Sequence, residues 1–128
     1  LTELAMSMVM LVIAMTLTVK LLGFVAHERR AAERRERALV ETANVMERIT
    51  AHEFDEVTPE FAGRVVVSPE ARGVLHDPRL EIEVTPTEPA AGRAAKRVVV
   101  FLRWKSHNGE WETPVRLTAW IERRSRPK

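Results

Sequence analysis

The chain has 128 residues, no cysteine and a formal net charge of +2. Disulfide support and thiol chemistry are therefore excluded, and the length leaves room for one small globular domain. Residues 27–54 carry six basic and six acidic side chains, so the basic excess lies after Asp55, mostly in Arg123, Arg124, Arg126 and Lys128. A basic end can serve nucleic acid or anionic lipid, but no aromatic residue is interleaved there to stack on bases. A solvated terminus is the reading taken, and no nucleic-acid partner is expected.

The chain opens Leu1-Thr2-Glu3-Leu4 and continues as AMSMVMLVIAMTLTVKLLGFVA to Ala26. From Leu4 to Val19 no residue is charged, and Lys20 is the only charge before His27. As a helix, Leu4 to Ala26 measures about 34 Å, enough to cross a hydrocarbon core of about 30 Å. Leu4, Met8, Leu11, Met15, Val19 and Leu22 are the lipid- and helix-packing residues of this span, and Lys20 can snorkel from near its end. A secretory signal fits poorly, because no basic region precedes the apolar core and no small-x-small site follows it. A buried helix of a soluble core also fits poorly, since no other segment is apolar enough to surround it. Glu3 stands out: an unpaired carboxylate at the mouth of a membrane-length helix is expensive and calls for a partner.

Helix-forming sequence continues beyond Ala26. HERRAAERRERALVETANVMERITAHEF contains no proline or glycine, and Glu33 and Arg37 are spaced i,i+4 in the favourable order. Leu39, Ala43, Met46, Ile49 and Phe54 form an apolar stripe at helical spacing. The expected organisation is a membrane and assembly segment over 1–26, an extramembrane continuation of the same helix over 27–54, and a small β domain with its connector over 55–128.

Within that last part, Ser68-Pro69-Glu70 predicts an N-cap, a proline at N1 and a first-turn acid opening a short helix over Pro69–Leu75; Thr58-Pro59-Glu60 is a weaker start of the same kind. Three strands are expected: Leu80–Val84, Lys96–Lys105 and about Thr113–Arg123, each with one face apolar at every second residue. Asn108-Gly109 predicts a two-residue type I′ hairpin between the last two. Pairing His107 with Glu110 then sets Leu102 opposite Val115, Val100 opposite Leu117 and Val98 opposite Ala119, all on apolar faces. The same register places Pro114, which has no N–H, at a hydrogen-bonding position, so a bulge or break is expected there. The helical stripe should pack on Val98, Val100, Leu102, Val115 and Leu117, with Leu102 and Leu117 in the core. On the other face, Val99, Phe101 and Trp120 are more apolar than a fully solvated surface, and Arg97 is placed to cover Trp120 by a cation–π contact.

Nothing in the sequence supports enzymatic activity. The histidines His27, His52, His76 and His107 are dispersed, no glycine loop could cradle a phosphate, and aspartate occurs only at Asp55 and Asp77. No cofactor or metal is expected.

Leu1-Thr2-Glu3-Leu4 before a membrane-length apolar helix, extended by a long helix and a small antiparallel sheet, resembles the type IV pilin superfamily. Members begin, after a leader ending in glycine, with Phe-Thr/Ser-Leu-x-Glu, and Leu1-Thr2-Glu3 matches the Leu-x-Glu part. The resemblance implies that the sequence starts two residues after the prepilin-peptidase cut, and that maturation includes methylation of the new amine. The short domain, without a cysteine pair or an aspartate-rich loop, looks like a minor pilin or pseudopilin of a type II secretion or related system. The fold implied is α+β, a long N-terminal helix packed by its C-terminal part on a three-stranded antiparallel meander. The implied partners are other subunits through the N-terminal helix, an inner-membrane assembly platform, the prepilin peptidase and the bilayer. The implied location is the bacterial inner membrane, single-pass, with the C-terminal domain periplasmic. Arg29, Arg30, Arg34, Arg35 and Arg37 alone would place that side in the cytoplasm; the resemblance implies the reverse, with a basic leader held inside. Glu3, in this family, pairs with the N-terminal amine of a neighbouring subunit. Two other classes fit the residues less well: a single-pass anchored interaction domain that does not polymerise, and a coiled-coil adaptor, for which residues 27–37 have too few apolar positions.

Overall fold

The computed structural model describes residues 1–87 and 93–124. Its contacts divide the chain into two units, Leu1–Arg34 and Arg35–Lys128. Helix α1 spans Thr2–Thr50 and contributes to both.

The first unit is helix alone. Leu, Met and Ala carry it, and Gly23 does not interrupt it. Thr16 and Thr18, which would otherwise bring unsatisfied hydroxyls into an apolar surface, donate their Oγ1 hydrogens to the carbonyls of Val12 and Ala14, each at 2.8 Å.

The second unit contains the last part of α1, two short helices α2 (Pro59–Arg64) and α3 (Pro69–Val74), and strands β1 (His76–Thr87), β2 (Ala95–Lys105) and β3 (Val115–Glu122). Both proline-led helices start as the sequence predicts: Thr58 Oγ1 accepts from Phe61 N at 3.2 Å and Ser68 Oγ accepts from Ala71 N at 3.3 Å. The strands form a meander in the order β1-β2-β3, antiparallel throughout. The architecture is thus α+β, the C-terminal part of a long helix packed on a small antiparallel sheet.

α1 ends at Thr50, four residues before the predicted end at Phe54. His52 closes its last turn, with N–H to Ile49 O at 3.2 Å and Nδ1 2.8 Å from Arg48 O, and a lysine holds the segment that follows. Lys96 Nζ donates to the carbonyls of Phe54 and Val57, at 2.7 and 2.9 Å, and lies 4.4 Å from the centre of the Phe54 ring. Arg123, read from sequence as part of a solvated tail, also packs here: its guanidinium donates to Asp55 Oδ1 at 2.6 Å and sits over Phe54. Residues 125–128 of that tail lie outside the described residues, as do residues 88–92 of the loop between β1 and β2.

The predicted strand register holds. Leu102 faces Val115, Val100 faces Leu117 and Val98 faces Ala119. The turn itself differs. Gly109 N donates to Ser106 O at 3.0 Å and Ser106 N donates to Glu110 O at 2.7 Å, closing a three-residue loop over His107, Asn108 and Gly109. Gly109 has φ +81 while Asn108 does not share the positive φ that a type I′ turn needs, so the loop is a type I turn with a bulge glycine. Near the loop the pairing is therefore displaced by one, Lys105 facing Trp111. The displacement is absorbed over residues 112–114, where Pro114 cannot donate, and β3 begins only at Val115. Two departures from the simplest hairpin cancel, and the apolar faces still match.

β1 is longer than its alternating core suggests, because of a second bulge. Between the pairs His76–Lys105 and Arg79–Arg103, Asp77 and Pro78 stand opposite Trp104 alone. Asp77 adopts φ 46, the left-handed region that Asp and Asn tolerate best among residues with a side chain. Its carboxylate meets Lys105 at 3.2 Å and Arg79 at 3.5 Å. The Lys105 hydrogen bond, followed by the charges of Arg79, Lys105 and His76, holds the Asp77 carboxyl below its ordinary value of 3.8 against an opposing desolvation effect. A carboxyl depressed in the folded state adds stability that is complete above its unfolded value and lost as pH falls through the folded one. Asp77→Asn, which keeps the backbone preference, should lower the unfolding midpoint at neutral pH. That difference should shrink as pH falls below 3.8 and be lost once the folded-state carboxyl is itself protonated, in parallel titrations of wild type and variant.

The core has two parts. One joins Ala38, Val67, Ala71, Leu75, Leu102, Trp104 and Val115; the other joins Val45, Met46, Ile49, Val57, Val98 and Val100. Met46 and Ile49 thus meet the sheet, but the rest of the sequence-derived stripe needs correction. Leu39 is 49% exposed and Ala43 is exposed, whereas Ala38, Thr42 and Val45 are buried. The buried face is rotated by one residue because the sheet is bulky where the helix enters. Trp104 and Leu102 occupy the space, and small Ala38 and Thr42 let α1 approach; a leucine there would overpack. Thr42 Oγ1 donates to Ala38 O at 2.7 Å, so its hydroxyl is satisfied within the helix. Leu117 is 37% exposed, at the flank of the edge strand β3, and is not a core residue as the alternation suggests.

Candidate functional site

The residues singled out in the membrane-length segment share one property: all are exposed among the described residues. Leu4, Met8, Leu11, Met15, Val19 and Leu22 are 59–74% exposed. α1 contains a stretch long and apolar enough to cross a membrane, and none of that window is buried. Apolar surface on this scale is not left to water; lipid or other helices must cover it. Glu3 lies in the first turn of α1, where the unpaired backbone N–H groups favour a negative charge. Its carboxylate takes part in no ion pair among the described residues.

The second unit holds a buried polar contact that sequence reasoning missed. Glu41, on α1, is only 5% exposed. Its Oε1 accepts from Ser68 N and its Oε2 from Ser68 Oγ, both at 2.8 Å, and Arg48 approaches Oε1 at 3.8 Å. Because Ser68 Oγ also accepts from Ala71 N, one hydroxyl caps α3 and ties it to α1 at once. The usable signal was Glu41's place: it flanks the Ala38, Thr42 and Val45 face, where a helical carboxylate must find donors from a neighbouring segment.

No chemistry-bearing cluster emerges from the fold. Among the described residues no group of three or more His, Asp or Glu could hold a metal ion. The histidines remain apart. His52 stacks obliquely on Phe61, ring centres 4.4 Å apart, with Nδ1 2.8 Å from Arg48 O; His76 opens β1; His107 lies in the hairpin loop. Arg97 faces Trp120 in register, yet the cation–π contacts among the described residues form elsewhere, Arg103 and Lys105 over Trp111 and Lys96 and Arg123 over Phe54.

No family model, no curated protein and no solved structure matches this chain. Its pilin-like character rests on architecture: an apolar N-terminal helix able to anchor in a membrane, continued into a helix whose last turns pack on a three-stranded antiparallel meander.

Proposed function

We propose that the chain is a structural subunit, of the minor pilin or pseudopilin kind, of a membrane-derived filament serving type II secretion or a type IV pilus-like system. The observation that carries this is the first unit, a membrane-length helix with all its apolar residues uncovered and one carboxylate in its first turn. A simple anchor needs the apolar length but not the carboxylate. Assembly gives both a purpose: helices cover one another, and Glu3 meets the N-terminal amine of a neighbour, so that two buried charges offset each other's desolvation. The reading places the chain as a single-pass protein of a bacterial inner membrane with its second unit outside. Prepilin peptidase would mature it, the mature amine would be methylated, and an inner-membrane platform would assemble it.

The test uses the absence of native cysteine. Met8→Cys and Leu22→Cys in one chain are separated by about 21 Å of helix and cannot bond to each other. Oxidation in membranes should therefore give a ladder of dimers, trimers and larger species. Monomer with a trace of dimer would contradict assembly and favour a non-polymerising anchored domain.

A further inference from the structure

Both edges of the sheet are open among the described residues, and they complement each other. β1 and β3 are each antiparallel to β2, so they run in the same direction. The two registers align them: Glu81, Phe101 and Arg116 form one level across the outward face, and Glu83, Val99 and Thr118 form the next. Charge differs between the edges. β1 turns Glu81 and Glu83 outward beside an Arg79 already paired with Asp77; β3 turns Arg116 and Trp120 outward beside a Glu122 already paired with Arg93. Arg116 and Glu83 take part in no ion pair among the described residues, and Glu81, 65% exposed, meets Arg103 only at 3.7 Å.

The apolar surface is divided in the same way. Arg35 donates to Thr113 O just before β3, and Leu39 and Ala43 lie one and two turns further along the same flank of α1. With Leu117, on the helix-facing side of β3, they leave apolar surface exposed beside that strand, while the 64%-exposed Trp120 lies on the strand's opposite face. Across the sheet, α2 and α3 lie against β1, and their segment exposes Val66 and Val74.

We propose that β3 of one copy pairs in parallel with β1 of a second copy, extending the sheet from subunit to subunit. A copy displaced sideways without inversion sets its Glu81 level with Arg116 and its Glu83 one step along, within reach of the same guanidinium. Strand addition of this kind satisfies the free backbone groups of both edges. It is heterologous, the contact that a polar filament repeats; an antiparallel pairing of two β3 edges would need a two-fold axis that such a filament lacks. The proposal rests on the filament reading above, and it gives Leu39 and Ala43 a role on the subunit border.

The experiment is a full-length chain in membranes carrying Thr118→Cys and Glu83→Cys. Within one copy these positions are two strand spacings apart, about 9.6 Å, too far for a disulfide. The proposal expects a ladder beyond dimer, absent when either cysteine stands alone. Arg116→Glu should reduce the ladder about tenfold or more, and Arg116→Lys should retain it. Dimers from Thr118→Cys alone would overturn the proposal in favour of a two-fold β3 contact. A ladder through Met8→Cys and Leu22→Cys without one through the sheet would overturn the proposal and leave the filament reading intact. Sheet ladders without helix ladders would support the strand contact and contradict the helix-assembled filament. Absence of both would overturn both.

Discussion

Leu102→Ala should destabilise the second unit by about 3–5 kcal/mol, in the upper part of the range for large-to-small core substitutions. Leu102 is fully buried between Ala38 on α1, Ala71 on α3 and its own sheet neighbours Trp104 and Val115. The vacated volume cannot close easily. Two of its walls are alanines, with no longer side chain to swing inward, and the other cluster members Val67, Leu75, Trp104 and Val115 are themselves buried. Leu117→Ala is the matched control. It removes the same atoms from a position 37% exposed at an open edge, and should cost about 1 kcal/mol. Denaturant unfolding of the full chain in detergent, followed by tryptophan fluorescence, would measure both. Equal costs would mean that the edge of β3 is covered within the monomer.

The second large effect belongs to Glu41. Glu41→Ala removes the acceptor for two Ser68 donors and leaves the Ser68 N–H without its partner beside a buried helix face. The expected cost is about 3 kcal/mol, the charge-assisted bonds lost plus a donor stranded. Glu41→Gln retains one acceptor oxygen but turns an amide N–H₂ toward the other donor, so it should recover no more than about half. Ser68→Ala removes the hydroxyl and keeps the backbone N–H, so the double mutant should be clearly less destabilised than the sum of the singles. Additivity would show that Glu41 stabilises α1 without tying it to α3.

The sequence revealed the elements better than their faces. Strand alternation, the two proline-led helix starts and the long helix were all legible, since each depends on local chemistry. The pairing of Leu102 with Val115 was also legible, though for a reason only partly available: the turn is one residue longer than Asn108-Gly109 suggests, and the break at Pro114 restores the count. The helical stripe was harder. Leu39 and Ala43 continue the helical period from Met46 as well as Ala38 and Thr42 continue it from Val45, and only the bulky sheet residues Leu102 and Trp104 favour the second set. Long-range polar contacts were not legible at all. Lys96 reaching back 42 residues to Phe54, and Ser68 reaching 27 to Glu41, leave no periodic trace. At the candidate site, the sequence already contained the length of the apolar segment and the position of Glu3. The fold adds that the segment is exposed along its length among the described residues, and that Leu39, Leu117 and Trp120 of the second unit are exposed as well.

Assembly through the N-terminal helix depends most on Glu3, and the direct test is the Met8→Cys, Leu22→Cys chain with and without Glu3→Ala. Loss of a charge makes the helix more apolar, so both forms should reach the membrane fraction equally. Unfolding of the second unit should be unchanged, because Glu3 lies in the first unit and takes part in no ion pair among the described residues. The ladder should collapse toward monomer, since the neighbour's amine is left buried and unpaired at a cost of about 3–5 kcal/mol. Ladders of equal length and intensity from the two forms would contradict the charge pair and the assembly mechanism built on it.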